Sequence, residues 1–404
     1  MHPSFSENFA CASHSAMLID ITRLADRFLK SRLPTGVDRV SLQYLQHFMG
    51  SAFALIRIGS RWVELGGADS RRIFEILLNG DPAGRSVLRR CVARSYLLAW
   101  PRQHCGMLFN TGHSGLDRPE YAAWVRRRGL KPVFFLHDLI PILHPEYCRA
   151  GEAARHHRRL ETMLSVGKGL IVNSAATRDE LLAYSAERGI SMPPCAVALL
   201  APARLPEPHY SRPLEKLYFV VLGTIEPRKN HLLLLHVWRQ LVAEMGEAAP
   251  KLVVIGQRGW ECEQVVDLLD RCAALKDHVI ELPHCDDREL ATWLMHAQAL
   301  LFPSFIEGFG MPLVEALMLR VPVIASEMPV FREIAGDIPH YLDPLDGPGW
   351  RQAVLDFVHS DGMARQMQIA RMENYAPPTW GQHFSVVEEL LETIDGGSGG
   401  RSST

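Results

Sequence analysis

Two glutamates with seven residues between them, Glu307 and Glu315, are the carboxylates of this sequence best placed to hold hydroxyl groups of a ligand. They lie in the segment FPSFIEGFGMPLVEAL, which begins at Phe302. The pattern predicts a strand ending at Phe302, a glycine-containing loop, and a helix that begins near Pro312, where the missing N–H is harmless. The amides at this helix amino terminus can bind an anion or hydroxyl oxygens. The loop residues expected to contribute are Gly308, Phe309, Gly310 and Met311.

The position of this segment predicts a ligand cleft. Open α/β folds bind ligands outside the carboxyl ends of their parallel strands, and both glutamates follow such a strand end. We therefore expect the two carboxylates to face one cleft. The alternative is a pair of solvated or helix-capping glutamates without a ligand.

A second loop carries paired cations after an apolar strand. In the segment VLGTIEPRKNH the strand runs into Gly223 and Thr224, and Arg228 and Lys229 precede a helix predicted to begin at Leu232. Two cations on such a turn can neutralise a diphosphate leaving group. We predict phosphate binding by Lys229, with Arg228 as the second cation. Surface charges without a ligand are the alternative.

The first half of the chain has four further candidate residues in three segments, each at a predicted strand end or helix start. Gly36 and Val37 lie in PTGVDRV, which follows the first strand and opens a helix. His137 follows the apolar run FFL, and Asn110 ends another strand. A histidine at a strand end has a structural role more often than a catalytic one, so its neighbours must decide.

These segments together resemble retaining GT-B glycosyltransferases of group 1 (family 4) that carry a Glu-x7-Glu motif, the mannosyltransferases above all. The pattern PS-x3-EGFG-x-P-x2-EA couples spacing, glycines and proline, and EPRKN matches the family's basic loop. The resemblance covers nearly all of 217–350. It departs at Thr224, because many members carry Arg directly after the glycine.

The resemblance implies a role for each candidate. Glu307 would hold hydroxyls of the donor hexose and Glu315 those of the nucleotide ribose. His137 would approach the donor sugar, while Asn110 would help to shape the acceptor site. The implied catalytic residues are Glu307, His137, Lys229 and Arg228. The implied substrate-binding residues are Gly36, Val37, Gly223, Thr224, Gly308, Phe309, Gly310, Met311, Glu315 and Asn110.

The resemblance also implies the reaction: retaining transfer of a hexose, with mannose favoured, from a GDP- or UDP-sugar to a saccharide or lipid-linked acceptor in surface polysaccharide biosynthesis. No cofactor and no nucleic acid partner is expected. No metal site is expected either, since the sequence has no D-x-D triplet and the two cations and helix amides can neutralise the diphosphate.

Three other functions share parts of this pattern. A sugar-nucleotide epimerase or a phosphorylase would have the same nucleotide or phosphate cleft, and a non-catalytic subunit would bind the sugar nucleotide without turnover. An NAD-dependent oxidoreductase is disfavoured because no G-x-G-x-x-G follows the first strand.

Length and pattern predict an α/β protein with two consecutive Rossmann-like domains, and the resemblance implies the GT-B arrangement in which they face a central cleft. A chain of 404 residues is long enough for two domains. Short apolar runs separated by helical periodicity indicate parallel strands with crossover helices. The predicted domains are 1–205 for the acceptor and 206–395 for the nucleotide sugar, with a proline-rich linker near 201–215, a last helix that can pack back on the first domain, and a disordered tail at 396–404. The predicted strands are Met17–Ile21, Phe53–Ile58, Met107–Phe109, Val133–Leu136, Leu170–Val172, Val197–Leu200, Tyr218–Leu222, Leu252–Ile255, Val279–Leu282, Ala299–Phe302 and Val323–Ala325.

Charge is unevenly distributed, although the net charge is only −2. Residues 1–200 hold 26 Lys and Arg against 17 Asp and Glu, whereas 201–404 holds 17 against 28. A basic half suggests an anionic partner, either a nucleotide diphosphate or a phospholipid surface. The basic stretches at 85–94 and 126–128 fit a solvated helix and an inner-membrane surface equally well.

Cysteines and the amino terminus point to the cytoplasm. The eight cysteines include no CxxC pair, which favours free thiols over a zinc or disulfide framework. The first 20 residues have neither a basic region nor an apolar core typical of a secretory signal. The prediction is a cytoplasmic protein, either free or peripheral on the inner face of the membrane.

Overall fold

The computed structural model describes residues 16–32, 34–98, 106–203, 205–359 and 361–396. Its strands form two separate sheets, one from each half of the chain. Helices cover the sheets, because strands buried on both faces need an apolar layer on each side. The result is two Rossmann-like α/β domains, as the sequence predicted.

The first sheet has seven strands in the order β3-β2-β1-β4-β5-β6-β7. All neighbouring pairs are parallel except β2 and β3. The strands are β1 Met17–Asp20, β2 Ala52–Ile58, β3 Arg61–Glu64, β4 Met107–Asn110, β5 Lys131–Leu136, β6 Gly169–Val172 and β7 Cys195–Val197. The helices of this half are α1 Thr22–Leu29, α2 Gly36–Phe48, α3 Gly67–Asn79, α4 Arg85–Leu98, α5 Glu120–Arg128, α6 Ile140–Leu143, α7 Glu152–Val166 and α8 Ala175–Glu187.

The second sheet has six strands in the order β10-β9-β8-β11-β12-β13, and all its pairs are parallel. Its strands are β8 Tyr218–Leu222, β9 Lys251–Ile255, β10 Val279–Leu282, β11 Leu300–Phe302, β12 Val323–Ser326 and β13 His340–Leu342. Its helices are α9 His231–Met245, α10 Glu263–Arg271, α11 Asp287–Met295, α12 Met311–Met318, α13 Pro329–Ala335, α14 Gly347–Phe357 and α15 Met363–Arg371, and the last helix of the chain is α16 Trp380–Gly396.

The last helix packs against the first sheet although it follows the second in sequence. Helix α16 contacts β6 and β7. The Nε2 of His383 lies 2.9 Å from the hydroxyl of Tyr44, and the ring of Phe384 stacks on that of His47 at 3.8 Å between centroids. The chain therefore returns to its first half after completing the second.

Two strands were not predicted, and several boundaries differ. β3 pairs antiparallel to β2 through the turn at Gly59, whose φ of 59° suits a tight hairpin. β3 and β13 are short edge strands whose polar residues conceal them in the sequence. The strand predicted at Val197–Leu200 instead spans Cys195–Val197, and α9 begins at His231, one residue before the predicted start.

The connecting and terminal segments complete the chain. The described residues between β7 and β8 belong to no helix or strand, and the predicted linker lies there. Of the tail predicted to be disordered, Gly396 ends helix α16 and the rest lies outside the described residues. No helix in the described part of the chain is long and apolar enough to cross a bilayer.

Candidate active site

Glu307 is the centre of a buried cluster of charged groups at the carboxyl end of β11. One carboxylate oxygen lies 2.6 Å from the Nζ of Lys229, and the other lies 2.7 Å from a guanidinium nitrogen of Arg228. The hydroxyl of Ser304 donates to the first oxygen at 2.7 Å. Arg228 also contacts Glu226 at 2.5 Å, so two cations and two carboxylates meet in one cluster. The two predicted loops are thus brought together.

The cations keep Glu307 ionised. Burial by itself would raise the pKa of this carboxyl, but Arg228 and Lys229 outweigh burial and lower the pKa to about 2. Burial acts on Lys229 in the opposite sense and lowers the pKa of its ammonium group, against the attraction of Glu307. Glu307 is therefore a permanent anion at neutral pH, held between two cations.

The glycine turn after β8 makes room for Lys229. Gly223 has a φ of 138°, a conformation that favours glycine, and a Cβ at this position would lie 3.1 Å from Cε of Lys229. Thr224 follows and is half-buried. A larger residue at Gly223 would push Lys229 away from Glu307.

The loop before α12 faces the first domain. A Cβ on Gly308 would lie 2.9 Å from the carbonyl oxygen of His137 and 3.0 Å from Cβ of Asp138, so a side chain at this position would not fit. The N–H groups of Gly308, Phe309 and Gly310 donate to no acceptor among the described residues. The loop therefore offers free amides next to the strand end that carries His137.

Two loop residues have packing roles. The side chain of Phe309 belongs to the hydrophobic core, with 5% of its surface exposed. Gly310 has a φ of 113° and passes so close to Phe331 that a Cβ would lie 2.6 Å from that ring. If these residues bind a ligand, they must bind it through their backbone. Met311 can contribute its backbone N–H as well, because it is the first residue of α12 and this N–H has no partner within the helix.

Glu315 lies in a different environment from Glu307. Its side chain is only 6% exposed, and the nearest cation, a guanidinium nitrogen of Arg39 on α2, is 3.9 Å away. Arg39 also pairs with Asp287 at 2.8 Å. Burial raises the pKa of Glu315 to about 7, and the attraction of Arg39 offsets this only in part. Glu315 is thus half-ionised near neutral pH.

His137 is buried and neutral. Its Nε2 donates to the carbonyl oxygen of Thr111 at 2.8 Å, which leaves Nδ1 as the acceptor nitrogen. Burial lowers the pKa of His137 to about 4, although the carbonyl of Thr111 and the carboxylate of Asp138 favour the charged form. At neutral pH this ring can accept a hydrogen bond from a hydroxyl but carries no charge.

The remaining predicted positions lie on the first-domain side of the cleft. Gly36 is exposed as the first residue of α2, and nothing lies within 4 Å of where its Cβ would be. Val37 beside it is half-buried. Asn110 is fully buried and its amide donates to the carbonyl of Ser114 at 3.0 Å, so it holds the loop after β4 and presents no surface to a ligand. Its role in shaping the acceptor site, exerted through this loop, stays a prediction.

Four residues of the site were not singled out from the sequence. Glu226 and Ser304 complete the Glu307 cluster, and both belong to the motifs EPRK and PS-x3-E themselves. Arg39 reaches Glu315 from the other domain, and Asp138 faces Gly308. Glu226 and Ser304 could have been found in the sequence by asking which groups compensate buried charges. The contacts of Arg39 and Asp138 depend on how the two domains face each other.

Part of the second domain is similar to a known protein family. Residues 207–339 match the family described as Glycosyl transferases group 1. The chain is 27% identical to the serotype-specific mannosyltransferase WbdA of Escherichia coli over 67% of its own length, and it spans about a third (34%) of the length of that relative. It is also 28% identical to the O-antigen chain mannosyltransferase B of Escherichia coli, with 69% of this chain and 73% of the relative covered.

Solved structures confirm the fold. HepE of Anabaena, in complex with UDP-glucose, superposes with a TM-score of 0.63 over 95% of this chain and 100% of its own, at 14% sequence identity. Sucrose-phosphate synthase of Thermosynechococcus elongatus gives a TM-score of 0.59 with the same coverage and 14% identity. The fold is therefore GT-B, as predicted, and the two relatives in sequence named above are mannosyltransferases.

Proposed function

We propose that this chain is a retaining glycosyltransferase that moves a hexose, preferably mannose, from a GDP- or UDP-sugar to a saccharide or lipid-linked acceptor in surface polysaccharide biosynthesis. The observation that carries the proposal is the Glu307 cluster, in which Lys229 and Arg228 lie beside free loop amides and opposite His137. The similarity to O-antigen mannosyltransferases supports the donor and the pathway.

The cations and amides have one task in the reaction. When the sugar–phosphate bond breaks, negative charge develops on the leaving diphosphate, and fixed positive groups in a buried site stabilise that charge strongly. Lys229 and Arg228 supply full charges, and the N–H groups of Gly308 and Gly310 supply partial ones. Because both cations contact Glu307, a bound diphosphate shares them with this carboxylate.

Glu307 and His137 would hold the hexose. The ionised carboxylate of Glu307 accepts hydrogen bonds from sugar hydroxyls, and the neutral ring of His137 accepts one at Nδ1. Glu315, with Gly36 and Val37 opposite, would face the ribose and phosphates. Retention then follows a front-face route, in which the acceptor hydroxyl attacks from the side that the diphosphate leaves. The acceptor oxygen bonds to the anomeric carbon as the bond to the phosphate oxygen breaks, and this phosphate oxygen takes the proton of the acceptor hydroxyl.

A panel of donors tests this function. GDP-mannose, UDP-glucose and UDP-N-acetylglucosamine are added separately, and a true donor should raise the melting temperature by mass action. With a mannosylated acceptor present, NMR should then show an α product from an α donor. No stabilisation by any sugar nucleotide, or an inverted product, would contradict the proposal.

The same incubation separates the alternatives. An epimerase converts the sugar nucleotide without an acceptor, whereas a transferase needs one. A non-catalytic subunit is stabilised by the donor but forms no product with any acceptor.

Metal independence is a separate part of the proposal. Because Lys229 and Arg228 can neutralise the diphosphate, we expect initial rates in excess EDTA to equal those in its absence. The measurement is the transfer rate with EDTA, followed by addition of Mg²⁺ or Mn²⁺. A rate that falls with EDTA and recovers with either ion would show that a metal is required.

A further inference from the structure

A cavity of about 950 Å³ lies in the first domain, apart from the Glu307 cluster. It is open to solvent and is lined by residues of α1, α4 and α7, the end of β2 and the loop after β4. Its lining contains two aspartates, Asp26 and Asp117, and six arginines. The arginines are Arg23, Arg57, Arg89, Arg118, Arg155 and Arg159. None of the roles discussed above uses this cavity.

The positive charge of the cavity is only partly compensated. Arg155 and Arg159 share Glu152, with contacts of 3.1 Å each, and Asp26 pairs with Lys30. Of the other four arginines, Arg23 pairs with the buried carboxylate of Asp38. The remaining three have no carboxylate partner among the described residues. Those three are Arg57, Arg89 and Arg118.

Two guanidinium groups have buried nitrogens without acceptors. The Nε atoms of Arg57 and Arg159 are shielded from solvent and donate to no described residue. Burial lowers the pKa of Arg159, and the neighbouring Arg155 adds to this, against the attraction of Glu152. An anion in the cavity would place a counter-charge beside these guanidinium groups.

One wall of the cavity is apolar. Leu29 of α1 and Leu88 and Val92 of α4 line it, and at its rim Leu97 is 77% exposed. An exposed leucine next to arginines suits a ligand that has both an anionic group and a hydrocarbon part. A fully hydrophilic ligand would leave this wall unused.

The loop after β4 lies between the cavity and His137. Gly112 and His113 line it, and Thr111, the residue before them, accepts the hydrogen bond from His137. The rings of His113 and His137 lie 5.3 Å apart between centroids. A ligand in the cavity therefore lies beside the residue that faces the donor sugar.

We infer that this cavity binds a phosphate or diphosphate ester of the acceptor, with the accepting hydroxyl towards His137 and, where the ester carries a hydrocarbon tail, with that tail on the apolar wall. The inference rests on the proposed transferase function. Two sources share this chemistry: a lipid-linked saccharide, whose phosphate joins sugar to hydrocarbon, and a soluble sugar phosphate.

Binding to simple probes tests the inference. Calorimetry below the micellar concentration compares decyl phosphate, decyl glucoside and inorganic phosphate. The variant is Arg89→Gln/Arg118→Gln, and the matched control is Arg90→Gln/Arg127→Gln, whose arginines are exposed in the same half of the chain but do not line the cavity. We expect the wild type to bind decyl phosphate at least about 10-fold more tightly than decyl glucoside. The affinity of the variant for decyl phosphate should fall by about 10-fold or more, whereas that of the control should not.

The outcomes separate the sources. Tighter binding of decyl phosphate than of inorganic phosphate supports a lipid-linked acceptor, and equal binding of the two supports a soluble sugar phosphate. Equal binding of decyl phosphate and decyl glucoside, or a variant that behaves like its control, would overturn the inference. Stabilisation of each variant by GDP-mannose is measured separately, so that a failed cavity assignment, a failed donor assignment and a misfolded variant give different results.

Discussion

The sites around Glu307 and Glu315 differ in one respect that matters for chemistry. Both side chains are buried to a similar extent, 8% and 6% exposed, and both belong to one strand-loop-helix segment. Glu307 has two cations within 2.7 Å, whereas the nearest cation to Glu315 is 3.9 Å away. Their pKa values consequently move in opposite directions, to about 2 and about 7. Burial alone does not decide the charge of a carboxyl; the compensating cations do.

This difference suits a division of labour. A carboxylate that is always ionised and shares cations with a diphosphate belongs near the reacting bond, where charge changes. A carboxyl that titrates near neutrality is suited to a contact that only binds.

The largest effect is expected for Lys229→Ala. Loss of a fixed positive charge beside the leaving diphosphate should lower kcat by about 100-fold or more, since such electrostatic contacts contribute several kcal/mol. Steady-state kinetics measure the change in kcat. Lys216→Ala is the control, because Lys216 is an exposed lysine of the same domain that pairs with Glu247. Turnover near the wild-type value would remove the phosphate role of Lys229.

Glu307→Gln should act mainly on the chemical step. The amide keeps the shape but removes the charge that orders Arg228, Lys229 and the hexose, so we expect kcat to fall by roughly 10- to 100-fold with a smaller change in KM. Glu263→Gln, at an exposed position of α10, is the control. Wild-type kcat with a raised KM would assign Glu307 to binding alone.

Glu315→Gln should act mainly on donor binding. A contact made equally in ground and transition states changes KM more than kcat, so the dissociation constant of the donor should rise by about 10-fold while kcat stays within about 3-fold. Calorimetry with the nucleotide sugar and steady-state kinetics measure the two quantities. Identical kinetic defects in this variant and in Glu307→Gln would abolish the division of labour.

The smallest effect is a pH dependence that belongs to Glu315. Hydroxyls of a ribose donate to the ionised carboxylate, so donor affinity should be full above the raised pKa of about 7 and should weaken as the pH falls from 8 to 6. Glu307, with a pKa of about 2, stays ionised throughout this window. Titration of donor affinity should show the slope in the wild type and a flat profile in Glu315→Gln. A slope that persists in this variant would assign the titration to another group.

Much of the architecture could be predicted because it depends on local patterns. Buried strands such as β8, with the sequence YFVVL, are continuous apolar runs bounded by turn residues. The edge strands β3 and β13 could not be found in this way, because an edge strand needs fewer apolar residues and its partner is distant or antiparallel. The start of β7 differs from the prediction for the same reason, since β7 is also an edge strand.

The sequence by itself determined the two loops, their glycines and the types of charge they carry, since spacing and residue type are local properties. Only the tertiary structure decided which charges meet: Lys229 and Glu307 are 78 positions apart, and Arg39 reaches Glu315 from the other domain. It also decided that Asn110 is buried and that arginines from several elements line one cavity. The physical reason is that desolvation and Coulomb interactions depend on distances between residues remote in the chain, which no local pattern specifies.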